Sequence, residues 1–203
     1  MHRLHHLKKI NKLLIATNNP GKFKELKEIL PKKIKYYKPR DFNLPEPVEN
    51  GKTFKANAKI KSLYASKKTG IISISDDSGL EIDVLGKKPG IYSARWAGPN
   101  KNFKVAIKRI FGQLKKKKKL NPRCRFICAM SIGFPDGKSF EFQGKIEGKI
   151  SFPARGSKGF GYDPIFVPIG ENKTFAQINK NKKNKISHRY KAFIKIKKYF
   201  KFS

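Results

Sequence analysis

Lys12-Leu13-Leu14-Ile15-Ala16-Thr17-Asn18-Asn19-Pro20-Gly21-Lys22 is the stretch from which the fold is read. Its first five residues form a short apolar run of strand type, and the turn-forming cluster from Thr17 to Gly21 stops it. From Lys22 onward, Phe23, Leu26, Ile29 and Leu30 recur at helical spacing until Pro31 ends the pattern. Strand, tight turn and helix in that order open an α/β unit. The free N–H groups at the start of such a helix favour an anion, to which Lys22 adds a mobile positive charge and the asparagines add donors. The spacing is not that of a Walker loop.

The same alternation continues along the chain. Residues 39–51 hold Pro39, Pro45 and Pro47 with Glu46 and Glu49, and read as an ordered loop. A helix is expected from Thr53 through Ala65, stopped by Gly70, and then a strand, Ile71 to Ser75. That strand runs into Asp76-Asp77-Ser78-Gly79, where it is expected to end. A further helix reads from Asn102 to about Lys116, with Phe103, Ala106, Ile107, Ile110, Phe111 and Leu114 on one face. Strands follow over 123–134 and 139–145 around the turn 135–138, then over 148–152 and 165–167. Ser187 is placed to cap a C-terminal helix carrying Tyr190, Phe193, Ile194 and Ile196.

The 203 residues are the size of one domain, or of one domain with two lobes. Lys and Arg number 48 against 14 Asp and Glu, a formal charge of +34 that would draw in polyanions. The lysines are spread over the whole chain, and the clearest runs, 115–119 and 180–185, fall in polar connectors. They read as a solvated surface, and no specific nucleic-acid partner is expected. Cys124 and Cys128 lie on one face of a strand without a second Cys/His pair at ligand spacing, so they read as buried free thiols rather than a zinc site. Residues 1–11 are basic with no apolar core of a secretory signal, and read as a disordered extension before a domain spanning 12–203. With no stretch of membrane-span length, a soluble cytoplasmic protein is expected.

Four segments could carry chemistry. The pair Asp76-Asp77 sits in an apolar strand of a chain poor in acids. A carboxylate there could hold Mg²⁺, which prefers oxygen ligands and phosphate partners, or take a proton from water. An Asx turn capping a helix explains the pair as well. The second segment is the 17–22 turn. In the third, Gly159-Phe160-Gly161-Tyr162-Asp163-Pro164, glycines would let backbone approach a flat ligand and an aromatic face could stack on a base. In the fourth, Ser187-His188-Arg189, the donors suit a 6-oxo group or a phosphate. Each of the last three is equally an ordinary turn or helix cap when taken alone.

Taken together the segments are more specific. T-N-N-P-G-K (17–22), E-N-G-K-T-F-x-x-N-A (49–58), D-D-S-G-L (76–80), P-G-I-Y-S-A-R-W-A-G (89–98), G-F-G-Y-D-P-I-F (159–166) and K-N-K-I-S-H-R (183–189) resemble the motifs of the inosine triphosphate pyrophosphatase family, in the family's order. The resemblance covers nearly everything from Lys12 onward. It implies an α/β fold with a long central mixed sheet flanked by helices, two lobes around a nucleotide cleft, and a homodimer. It also implies Mg²⁺-dependent cleavage between the α and β phosphates of non-standard purine triphosphates (ITP, dITP, XTP), keeping them out of DNA and RNA. Thr17, Asn18, Asn19, Pro20, Gly21 and Lys22 would bind the triphosphate. Asp77 would be proton acceptor and metal ligand, with Glu49 and Asp76 helping to hold the metal, and Ser78 would touch substrate. Phe160, Gly161, Tyr162 and Asp163 would form the base and sugar pocket, completed by Lys183, His188 and Arg189. A pocket of such donors would leave the amino group of ATP unpaired. The rival reading, from another class, is a basic RNA- or DNA-binding module; the intact acids Glu49, Asp76 and Asp77 stand against it.

Overall fold

The computed structural model describes residues 10–200 of the chain. All but the last two residues of the expected N-terminal extension lie outside the described residues. The strands are β1 (Lys12–Ile15), β2 (Lys35–Tyr37), β3 (Ser73–Ile82), β4 (Lys88–Pro89), β5 (Arg123–Gly133), β6 (Ser139–Ile150) and β7 (Phe166–Pro168), and the helices α1 (Pro20–Ile29), α2 (Phe54–Thr69), α3 (Phe103–Lys116), α4 (Lys180–Ile186) and α5 (His188–Phe200). The strands pair in the order β2-β1-β3-β5-β6-β7, with β4 added on β3. β1 runs parallel to β2 and β3, whereas β4 on β3 and β7 on β6 are antiparallel, so the sheet is mixed as expected.

The chain divides into two compact units, each with its own core. Among the described residues the first comprises 10–77, 128–144 and 189–200. Its core gathers Leu13 and Ile15 of β1, Leu26 of α1, Ile74 of β3, Met130 and Ile132 of β5 and Phe193 and Ile196 of α5. Here α2 lies close upon the strands because its inward face is small: Ala58, Ser62, Ala65 and Ser66 are buried. A Cβ built on Gly133 would come 2.6 Å from the Ser62 carbonyl carbon. The serine hydroxyls are satisfied locally, Ser75 donating to the Ala58 carbonyl and Ser62 pairing with Ser131 at 2.8 Å, so close approach leaves these polar groups partnered. Thr53 caps the helix by accepting the Ala56 N–H, and Gly70 ends it with φ at 69°.

The second unit comprises residues 78–127 and 145–188. Its core packs Leu80 and Ile82 of β3, Ala106, Ile110 and Leu114 of α3 and Phe126 of β5 against Phe166 and Phe175. The helical face read over 102–116 supplies three of these buried side chains.

Three expectations are corrected, and one strand is added. β3 does not stop at the aspartates but continues through them to Ile82, where pairing with β4 keeps it extended. Residues 139–150 form one strand rather than two, Gly148 being tolerated because Phe166 and the Val167 carbonyl fill the space of a side chain. The lysine-rich segment at 180–186 is a helix capped by Asn179, whose side chain accepts the Asn181 N–H. Lys35–Tyr37 is a strand, although its three residues lack a buried apolar face to announce it. Cys124 and Cys128 are buried free thiols, and burial pushes both thiol pKa values up. Among the described residues no helix is long and apolar enough to cross a membrane.

Candidate active site

In the first unit the turn after β1 is built by its own side chains. Asn19 caps α1, accepting the Lys22 N–H at 3.0 Å, while Thr17 Oγ1 accepts the Asn19 N–H at 3.2 Å. Pro20 occupies the first helical position, where its missing N–H leaves no gap in the helix ladder. With the Phe23 N–H given to the Asn19 carbonyl, the Gly21 N–H and the positive end of the helix dipole are what this helix start offers an anion. Lys22 reaches back, its Nζ 3.3 Å from Asp76 Oδ2.

Because β3 is extended at both aspartates, the two side chains leave the strand on opposite sides. Asp76 is fully buried and its Oδ2 accepts from Arg189 Nη2 at 2.7 Å. Burial works to raise its pKa, but Lys22, Arg189 and Lys61 outweigh that and hold the carboxyl well below the usual range. Its Oδ1, equally buried, has no hydrogen-bond partner among the described residues. Asp77 faces α2, where Asn57 Nδ2 donates to its Oδ2 at 3.1 Å. Burial raises the Asp77 pKa and Glu49 adds to the effect, against the pull of Lys22 and Lys61. Adjacent carboxylates thus titrate in opposite directions. A permanently charged partner beside a carboxylate of raised basicity is the pattern expected of an electrostatic anchor next to a base.

Three residues without an assigned role complete this site. Asn57 accepts the Gly51 N–H at 2.8 Å through Oδ1, so it ties Asp77 to the loop carrying Glu49. Lys61, one helical turn further along α2, sits 2.6 Å from Glu49 Oε1. Burial disfavours its charge, but Asp77, Glu49 and Asp76 more than restore it and raise its pKa. Glu25 of α1 pairs with Arg189. The signal for the first two was the spacing of four on α2, which places Asn57 and Lys61 on one face. Asn57→Leu strands the half-buried Gly51 N–H and removes a donor to Asp77. It is expected to cost about 1–3 kcal/mol in urea unfolding, and a loss below about 0.5 kcal/mol would show that the bridge is idle.

The second unit holds Ser78, the 160–163 segment, Lys183 and His188. Asp163 closes the turn by accepting the Phe160 N–H at 2.9 Å, and Lys183 Nζ donates to the same Oδ2 at 2.6 Å. A Cβ on Gly159, whose φ is +78°, would come 2.0 Å from that oxygen, so no side chain fits there. Lys183 Nζ also lies 5.0 Å from the centre of the Phe160 ring, a cation–π contact. His188 stacks on Phe126 with centroids 4.8 Å apart.

Two side chains of the expected base pocket are buried and engaged with other groups. Tyr162 is buried edge-on against Phe103, and its hydroxyl donates to the Ser93 carbonyl at 2.9 Å, so its ring belongs to the core and Phe160 is left as the stacking face. Arg189 is 2% exposed and commits both terminal nitrogens to carboxylates of the first unit, which outbid a neutral base for a buried guanidinium.

An α/β protein whose first helix starts beside two carboxylates with pKa values shifted in opposite directions has groups suited to a phosphate ligand. Comparison with known proteins narrows this. The model of the Ham1 family matches residues 13–199, and the chain belongs to that family. A dITP/XTP pyrophosphatase of Ruegeria pomeroyi is 44% identical over 190 residues, covering 92% of this chain and 93% of the relative. One of Zymomonas mobilis is 42% identical over 184 residues, covering 90% and 88%. A solved HAM1 protein from Coxiella burnetii superposes with a TM-score of 0.86 at 32% identity, covering 96% of this chain and all of that one. The resemblance carried by the six motifs, and the mixed α/β fold it implied, are borne out.

Proposed function

We propose that the chain hydrolyses non-standard purine nucleoside triphosphates, ITP, dITP and XTP, to the nucleoside monophosphate and pyrophosphate. The observation that carries this reading is the opposite shift of Asp76 and Asp77 beside the anion-favouring start of α1. The pyrophosphatase names of its relatives agree with it. Water attacks the α-phosphorus, the bond from that phosphorus to the bridging oxygen breaks, and pyrophosphate leaves with the bonding pair. Asp77, with its raised basicity, takes the proton of the attacking water. Lys22 and Lys61 offset the charge that builds on the phosphate oxygens. Phe160 offers a face to the base, with Lys183 and His188 as donors to a 6-oxo purine.

Mg²⁺ fits the donors of this site. Glu49 and Asp77 repel one another, while Asp76 leaves β3 on the other side and would support a cation through its charge. Among the described residues no three His, Cys, Asp or Glu side chains form a metal cage. Mg²⁺ does not require one, because it is commonly held by one or two carboxylates, substrate phosphates and water. Asp77 and Glu49, supported by Asp76, would hold it, and it would supply Lewis-acid polarisation of the phosphate oxygens. The same reading includes a cytoplasmic homodimer that keeps the aberrant nucleotides out of DNA and RNA.

Pyrophosphate release from ITP, dITP, XTP, GTP and ATP, with Mg²⁺ and with EDTA, tests the proposal. The first three are expected to be cleaved with kcat/KM about a hundredfold or more above ATP, and EDTA to stop the reaction. No turnover of any nucleotide would sink the enzymatic reading. In the pocket, Gly159→Ala displaces the Asp163 carboxylate and with it the anchor of Lys183. Its KM for ITP is expected to rise about tenfold, equivalent to about 1.4 kcal/mol, with a smaller change in kcat. An unchanged KM would remove that turn from substrate binding.

A further inference from the structure

The 48 basic residues cannot be neutralised by 14 acids, and the structure sharpens the imbalance, because several carboxylates share one cation. Arg125 alone gathers Glu81, Asp83 and Glu147. One group of lysines left outside these pairs is held in a fixed place. Lys115 to Lys119 close the C-terminal end of α3 in a tight turn. The Lys118 N–H donates to the Lys115 carbonyl at 2.9 Å and the Lys119 N–H to that of Leu114 at 3.1 Å. All five are exposed, and none forms an ion pair among the described residues.

The negative end of the helix dipole accommodates one or two such charges, not five. Lys118 also takes the left-handed conformation, φ 53°, which favours Gly or Asn. The sequence thus accepts both charge crowding and backbone strain at one turn. A ring lies beside it. Lys115 Nζ sits 5.5 Å from the centre of Phe152, which is half-buried and packed edge-on against Phe111 at 4.7 Å. The Phe152 N–H donates to Asn121 Oδ1 at 3.4 Å, fixing the ring next to the lysine turn. Ammonium groups for phosphates beside an aromatic face for a base are the two elements of sequence-tolerant single-strand binding.

We propose that the Lys115–Lys119 turn and Phe152 form a sequence-independent landing site for single-stranded nucleic acid. A duplex would offer phosphates but no free base for the ring, and an anionic membrane would find little apolar surface to bury beyond Phe152 and Leu120. The proposal does not rest on the catalytic reading, since the whole patch lies in α3 and the segments that follow it and in the loop at 152.

The test is fluorescence anisotropy of a labelled 20-nucleotide oligouridylate against full-length protein from 50 to 300 mM KCl. It compares K115Q/K116Q/K117Q/K119Q, which spares the left-handed Lys118, with the equally discharged control K24Q/K27Q/K32Q/K33Q and with F152L. Thermal unfolding confirms that each variant is folded, independently of any catalytic activity. The first variant is expected to flatten the slope of log affinity against log salt by about 3, roughly 0.7 per lysine, and to bind at least about tenfold more weakly at 100 mM salt. The control is expected to bind within about threefold of wild type. F152L is expected to weaken binding about fivefold or more with the slope unchanged, as loss of a stacked base predicts. Equal losses in the two quadruple variants would show diffuse charge and overturn the proposal. So would wild-type binding by F152L, or a loss by the first variant that appears on phosphatidylserine vesicles and not on oligouridylate.

Discussion

Asp77→Asn is expected to lower kcat for ITP by about 10²- to 10⁴-fold, the span that a positioned general base contributes. KM is expected to change little. The substitution is nearly isosteric, and Asn57, which donates to Oδ2 at 3.1 Å, can keep a partner if the new amide presents its oxygen. The fold should therefore survive, and urea unfolding should differ from wild type by no more than about 1 kcal/mol. The neighbouring carboxylate provides the contrast. Asp76 is held ionised by Lys22, Arg189 and Lys61 against the cost of burial, so it is poorly suited to accept a proton. Asp76→Asn should act mainly through the folded structure, weakening two buried ion pairs. A Michaelis–Menten series for both variants with matched unfolding curves separates the roles. Near-normal kcat in a folded Asp77→Asn enzyme would remove Asp77 from its place as base.

How much of this was legible in the residues differs from one element to the next. β1, the turn and α1 were readable because each step is local: an apolar run, a turn cluster, then helical spacing closed by Pro31. The helical face of α3 was readable for the same reason. Where the reading failed, the residues themselves carried no signal of what decided the outcome. β3 continues past Asp77 because β4, which begins six residues after β3 ends, pairs back onto it, and no local signal at Ser78-Gly79 announces that. α4 is composed mostly of lysine and asparagine, so its pattern carries no apolar stripe, and only the Asn179 cap marks its start. Tyr162 looked like a ligand-facing ring because it follows the glycine-rich stretch 159–161. Its burial depends on Phe103 and on the Ser93 carbonyl, 69 residues away for the latter. The pair Asp76-Asp77 was found through scarcity, acids being rare in this chain, and Glu49 through the family resemblance. Lys61 was hidden by the opposite circumstance, one lysine among many, distinguished only by burial beside three carboxylates.

Arg189 is where sequence and structure diverge most, and its removal should have the largest effect on stability. Beside His188 in a motif of donors, it reads as a recognition group for a 6-oxo purine. Folded, it is enclosed, one terminal nitrogen on Glu25 and the other on Asp76 Oδ2 at 2.7 Å. Arg189→Met keeps the length and apolar stem but leaves two acids with a lost partner, Glu25 nearly buried and Asp76 wholly so. Breaking a buried ion pair by removing one member costs roughly 3–5 kcal/mol, because the charge left behind is uncompensated. That is the expected shift in urea unfolding at neutral pH. Below the ordinary carboxylate range the deficit should shrink. The wild-type pairs hold Asp76 ionised, so their contribution is present above its unfolded pKa and fades as pH falls through the lowered folded value. Glu25→Gln in the Arg189→Met background should recover part of the loss, since it removes one stranded charge. Turnover of ITP and of ATP should fall by similar factors, because the damage reaches Asp76 rather than the base. A stable Arg189→Met protein that lost only its preference for ITP over ATP would return the residue to the base pocket and break the link drawn here between Arg189 and the carboxylate pair.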